Sequence, residues 1–132
     1  MTTITGKSAT LKADASKASA YLADMNNFEQ LLPADKISDF KSETDHCSFK
    51  IQNAATIALE LQKNSGTELV YGSKAPTPFR FTLTVKLEEQ DGGCIASQVC
   101  EADLNPMLKM MVQKPLNKLF DYIAEQLEVQ LN

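Results

Sequence analysis

A long stretch of period-two hydrophobicity that gives way to a helical period limits the folds open to this chain. From Ile37 to Asp103 apolar residues recur at every second position, and from Asn105 onward at every third or fourth. A period of two belongs to a strand with one buried face; a period near 3.6 belongs to an amphipathic helix. Strands in series followed by a long helix make an α+β layout, an antiparallel sheet with its helices on one face.

The clearest strand runs from Phe79 to Leu87. Phe79, Phe81, Leu83, Val85 and Leu87 alternate there with Arg80, Thr82, Thr84 and Lys86, which predicts one buried and one solvated face. Cys47, Phe49 and Ile51 alternate in the same way, as do Ile57, Leu59 and Leu61. Asn64-Ser65-Gly66 is a turn signal, and Leu69 to Gly72 restarts a strand. Asp91-Gly92-Gly93 predicts a hairpin turn before a last strand from Cys94 to Asp103. Thr3 to Lys12 reads as an opening strand, giving six or seven strands in all.

Helical signals flank this region. Asp14 and Ser16 offer N-caps, and Ala18, Tyr21, Leu22 and Met25 keep the spacing of one helical face. Asn26-Asn27 interrupts it; Phe28, Leu31 and Leu32 continue as a second short helix, which Pro33 ends. At the start of the long helix Asn105 is the cap and Pro106 the first helical position. Its apolar stripe is Leu108, Val112, Leu116, Leu119, Ile123 and Leu127, widened by Met107, Met111 and Phe120. Lys109, Lys114, Asn117, Asp121, Glu125 and Glu128 fall mostly on other faces. Pro115 lies inside the pattern and is expected to bend the helix.

With no repeat, linker or low-complexity tract, residues 1–132 read as a single domain. Apolar residues at 43% and charged residues at 23% fit a packed core rather than disorder. The net charge of −4 repels phosphate backbones and anionic bilayers, so neither nucleic acid nor membrane is an expected partner. No apolar run approaches the roughly 20 residues of a spanning helix, so no membrane insertion is expected. Met1 to Thr10 lacks the basic start and apolar stretch of a secretory signal, and a cytoplasmic location is expected. The three cysteines fit this. Cys94 and Cys100 lie on one strand, roughly 20 Å apart at the strand rise, far beyond disulfide reach. They and Cys47 read as buried reduced thiols.

The element order resembles the helix-grip fold of the START-like (SRPBCC) superfamily. The resemblance spans essentially the whole chain. It is best carried by Leu31-Leu32-Pro33, by Asn105-Pro106-Met107-Leu108-Lys109, and by Lys114-Pro115-Leu116. The last of these is similar to members of the polyketide-cyclase and coenzyme-Q-binding branch. The resemblance implies a curved antiparallel sheet around a long C-terminal helix, with two short helices after the first strand. It also implies a cavity between sheet and helix that buries a small hydrophobic molecule. No cofactor and no metal are expected from the residue patterns.

The alternation then proposes a lining. Phe79, Phe81, Leu83 and Val85 come from the clearest strand. On the last strand the charged residues Glu101 and Asp103 mark the outer face, so Cys94, Ala96, Gln98, Cys100 and Ala102 are expected to face inward. Gln98 is the one polar group among them, and these small residues leave room for a ligand or for close approach of the helix. Leu108, Val112 and Leu119 with Met107 and Met111 form the helix wall, and Met110 points away. Tyr71 and Tyr122 offer hydroxyls, although packed rings with solvated hydroxyls are the plainer expectation.

Catalytic patterns are weak. His46 and Cys47 are strand neighbours and point to opposite faces, so they cannot share a metal or form a nucleophile-base pair. Cys100 has no local cation to lower its pKa. Glu88-Glu89 and Glu101/Asp103 read as solvated strand ends, and Gly92-Gly93 lacks the lysine of a phosphate loop. Lys109, Lys114 and Lys118 read as a solvated helix face. Binding or transport of a hydrophobic ligand is therefore expected first. A cyclase- or aromatase-like enzyme using Gln98, Tyr71 and Tyr122 comes second, and a protein-interaction module third. The ligand and the oligomeric state stay open.

Overall fold

A computed structural model describes residues 1–52 and 54–132. In chain order it contains β1 (Thr2–Thr5), β2 (Ala9–Leu11), α1 (Ala15–Ala23) and a 3-10 helix (Met25–Gln30). Then come β3 (Ile37–Ser42), β4 (His46–Ile51), β5 (Thr56–Asn64), β6 (Glu68–Ser73), β7 (Phe81–Gln90) and β8 (Gly93–Ala102). The chain closes with α2 (Pro106–Leu131).

The strands form one antiparallel sheet of order β1-β8-β7-β6-β5-β4-β3, with β2 also paired to β8. Its register follows the alternation. In β7 and β8 the buried residues Leu83 and Cys100 lie opposite each other, as do Val85 and Gln98. The hairpin between them turns on Asp91 and Gly92, both at positive φ (50° and 83°), the primed turn that such a pair favours.

Eight strands replace the expected six or seven because the opening strand is broken. Thr2–Thr5 pairs with residues 99–102 and Ala9–Leu11 with residues 94–96. The break falls where the backbone passes directly over α2: a Cβ on Gly6 would lie 2.7 Å from Phe120 Cβ. Only a residue without a side chain fits that crossing.

Both helices start as their caps dictate. Asp14 accepts the Lys17 N–H at 2.9 Å, and Asn105 accepts that of Leu108 at 2.9 Å, with Pro106 at the first turn. α1 packs on β5, β6 and β7; α2 packs on β1, β2 and β8. The long helix continues through Pro115 without a break.

Residues of α2 outside its apolar stripe are not merely solvated. The Asp121 carboxylate accepts the Lys7 N–H at 2.7 Å, and Glu128 accepts that of Thr10 at 2.9 Å. The Asn117 amide donates to the Thr5 carbonyl at 2.6 Å, and Asn132 accepts the Lys12 N–H at 2.6 Å. The spacing 117, 121, 128, 132 is one helical face. It satisfies backbone groups along the broken edge strand, which would otherwise be open to pairing with another chain.

Candidate functional site

The space between sheet and α2 is apolar and almost full. It narrows to a void of about 20 Å3. Phe28 and Leu32 line it from the short-helix region, Phe49, Ile57 and Leu59 from β4 and β5, and Leu83 and Cys100 from β7 and β8. Phe79 and Phe81 also line it, their rings tilted at a centroid distance of 5.8 Å. Leu116, Leu119, Phe120 and Ile123 of α2 form the opposite wall. A water needs roughly 10–15 Å3 of such space, so the void has room for about one molecule. Of the two outcomes expected of the small residues of β8, room for a ligand or close approach of the helix, Gln98 shows close approach through its bond to Phe120, and the void left is small. Five of the six phenylalanines in the chain project into the same region and fill it.

Twelve of the residues singled out in the sequence divide into three groups. Phe79, Phe81, Leu83, Cys100 and Leu119 meet around the void. Phe79 does so from the loop before β7 rather than from the strand itself. Val85, Val112, Gln98 and Tyr71 are buried, and Leu108 partly so, but none of these five lines the void. Met107 and Met111 are corrected outright: they are 72% and 45% exposed, and Met110 is 86% exposed. At the start of α2 Leu108 packs against the core, while the methionines that widen the stripe stay in solvent.

The polar candidates do not converge. The Gln98 amide donates to the Phe120 carbonyl at 3.0 Å, and its Oε1 finds no donor among the described residues. The Tyr71 hydroxyl, expected to reach solvent, is fully buried and donates to the Leu22 carbonyl at 2.8 Å. There it satisfies a carbonyl in the last turn of α1, while its ring meets Phe28 edge-on at 5.5 Å. Burial raises the Tyr71 pKa, with the Cys47 thiol adding to the effect. His46 is half-exposed, with its two ring nitrogens 2.9 Å from Asp45 and 3.1 Å from Glu43. All three cysteines are free and buried. Burial pushes the Cys47 and Cys100 thiols up to about 12, with Glu101 adding at Cys100. Among the described residues no group of three His, Cys, Asp or Glu side chains is arranged to hold a metal.

A second space adjoins the void, and no run of the sequence announces it. It is a solvent-open groove of about 570 Å3 between the loop after the 3-10 helix, the end of β4, and the middle of α2. Pro33, Ile37, Ile51, Pro115, Leu119 and Tyr122 give it an apolar floor. Asp35, Lys36, Gln52, Lys114 and Lys118 complete its lining. Leu119 lines both spaces. Pro33 and Pro115 are legible as helix punctuation; that they line one groove is a tertiary fact with no local signal. A further hollow of about 630 Å3 lies around Gly72, Thr82 and Glu101, and its lining mixes polar and apolar groups.

No family model matches the chain, and no curated protein matches it in sequence. Solved structures do match in shape. The solution structure of KanY protein superposes with a TM-score of 0.77 at 9% identity, covering 99% of each chain. The Aha1 dimer from Colwellia psychrerythraea gives 0.72 at 12% identity, over 99% of this chain and 96% of that one. A START superfamily protein from Mycobacterium smegmatis gives 0.65 at 12% identity, over 98% and 96%. The chain therefore has the START-like helix-grip fold, an open eight-stranded antiparallel sheet with a long C-terminal helix. No helix among the described residues is long and apolar enough to cross a membrane.

Proposed function

We propose that this helix-grip chain binds a small hydrophobic molecule along the seam between α2 and the sheet. The observation that carries this is the shared position of Leu119, which lines both an open groove of about 570 Å3 and the small apolar void inside. The groove alone falls within the usual size range of small-molecule sites. A ligand seated there can extend inward by displacing Leu119 and the phenyl rings behind it.

Magnitudes indicate what drives binding. A void of about 20 Å3 costs only about 0.5 kcal/mol at roughly 24 cal/mol per Å3. Filling it is a minor gain. Removing about 200 Å2 of ligand surface from water is worth about 5 kcal/mol at roughly 25 cal/mol per Å2. Burial of the ligand's own apolar surface therefore dominates.

Gln98, Tyr71 and Tyr122 do not meet in one place, which supports binding over conversion. The test is organic extraction of the purified protein with mass spectrometry, paired with titration of the neutral dye N-phenyl-1-naphthylamine. A co-purified apolar compound, or saturable dye binding that it competes away, is expected. An empty extract together with no saturable binding would remove the proposal.

A further inference from the structure

We infer that the ligand is an anionic amphiphile whose acidic head lies on the groove rim, against Lys36, Lys114 and Lys118. This rests on the binding proposal above and narrows it to a chemical class. The chain carries a net charge of −4, yet the groove lining holds three lysines and a single acid, Asp35. The local balance is thus opposite in sign to that of the molecule. All three lysines are exposed, and among the described residues none takes part in an ion pair. Lys7 and Lys74, elsewhere on the surface, do find carboxylates.

The rim cations come from two separate elements. Lys114 and Lys118 are one turn apart on α2, and Lys36 faces them from the loop before β3. Between them lies the apolar floor that leads to Leu119. Cations at the mouth of an apolar slot suit a molecule with an anionic head and an apolar body. The head stays hydrated at the rim while the body leaves water. The overall negative charge works against capture from solution, so selectivity comes from the short-range rim field, which salt screens.

The test uses two dyes with one aromatic framework: neutral N-phenyl-1-naphthylamine and its sulfonated counterpart, 8-anilinonaphthalene-1-sulfonate. The native chain is expected to bind the sulfonate roughly tenfold tighter, the sum of three modest exposed charge contacts. That preference should shrink as salt is raised. In the triple variant Lys36→Gln, Lys114→Gln, Lys118→Gln the preference should vanish, the two dyes then binding with similar affinity. The control Lys12→Gln, Lys17→Gln, away from the groove, should keep it. Circular dichroism checks folding of the triple variant; should it fail to fold, single Lys118→Gln is expected to lose part of the preference. Equal affinities in the native chain, or a preference surviving in the lysine variants, overturns the inference and leaves the binding proposal standing. Binding of neither dye to the native chain overturns both.

Discussion

Gly6 and Phe120 touch so closely that the first strand and the long helix share one crossing point. A Cβ on Gly6 would lie 2.7 Å from Phe120 Cβ and 2.8 Å from its carbonyl carbon. Gly6→Ala must push the strand off the helix, and its neighbour there is largely backbone, which cannot rotate away. The expected loss is about 1–3 kcal/mol, the usual size of overpacking, read as a lower urea midpoint with an unchanged m-value.

Gln98 joins β8 to α2 through the Phe120 carbonyl, and two effects oppose each other there. Its Nε2 makes a 3.0 Å bond, while its Oε1 is buried without a donor among the described residues. The bond is worth about 1 kcal/mol and the orphan oxygen costs a similar amount. Gln98→Met, of similar shape, is therefore expected to change stability by less than about 1 kcal/mol. Gln98→Glu places an unpaired charge in the same position and should cost roughly 3 kcal/mol or more at neutral pH. Burial raises the folded carboxyl pKa, so this loss is present above the unfolded value near about 4.3 and is relieved as pH falls below it. Urea titrations at two pH values check both variants.

The buried thiols should be silent in the native state. Cys47 and Cys100 are each held up to about 12 by burial. An aromatic disulfide reagent at mildly alkaline pH is expected to label them only at the rate of unfolding. The sign of the linked pH effect follows. The unfolded thiols ionise from 9.0 upward while the folded ones stay protonated to about 12. Their contribution to stability is intact below the unfolded value and is lost as pH climbs through that window. Replacing both with Ser should flatten the alkaline limb of a stability profile.

The exposed methionines show where sequence patterning stops. Met107 and Met111 fit the apolar stripe of α2 as well as Val112 does, yet only Val112 is buried. A helical period gives a face; it does not give how much of that face the core covers. Met107→Gln with Met111→Gln is expected to shift unfolding by less than about 0.5 kcal/mol, and Val112→Ala to cost about 1 kcal/mol or more. Thermal melts of the two variants decide it.

Other features are legible for identifiable reasons. Glu101 and Asp103 mark the outer face of β8, and alternation then places Cys94, Ala96, Gln98, Cys100 and Ala102 inside, where all five are buried. Asp91-Gly92 encodes the hairpin and Asn105-Pro106 the start of α2, because each feature is local. The split at Gly6, the buried Tyr71 hydroxyl and the groove beside Leu119 depend on contacts between distant segments. Lys118 shows the limit most plainly: along the helix it is one more solvated charge, and only Lys36 on another element makes it part of a rim.

The central claim is that a ligand enters between α2 and the sheet past Leu119. Methyl-labelled Ile and Leu, followed by NMR during titration with N-phenyl-1-naphthylamine, tests it directly. Saturable shifts are expected at Ile37, Ile51, Leu116, Leu119 and Ile123, with Leu11 and Leu127 at the far end of α2 unmoved. No saturable shift at Leu119 and Leu116, or shifts confined to the outer surface, would contradict the account.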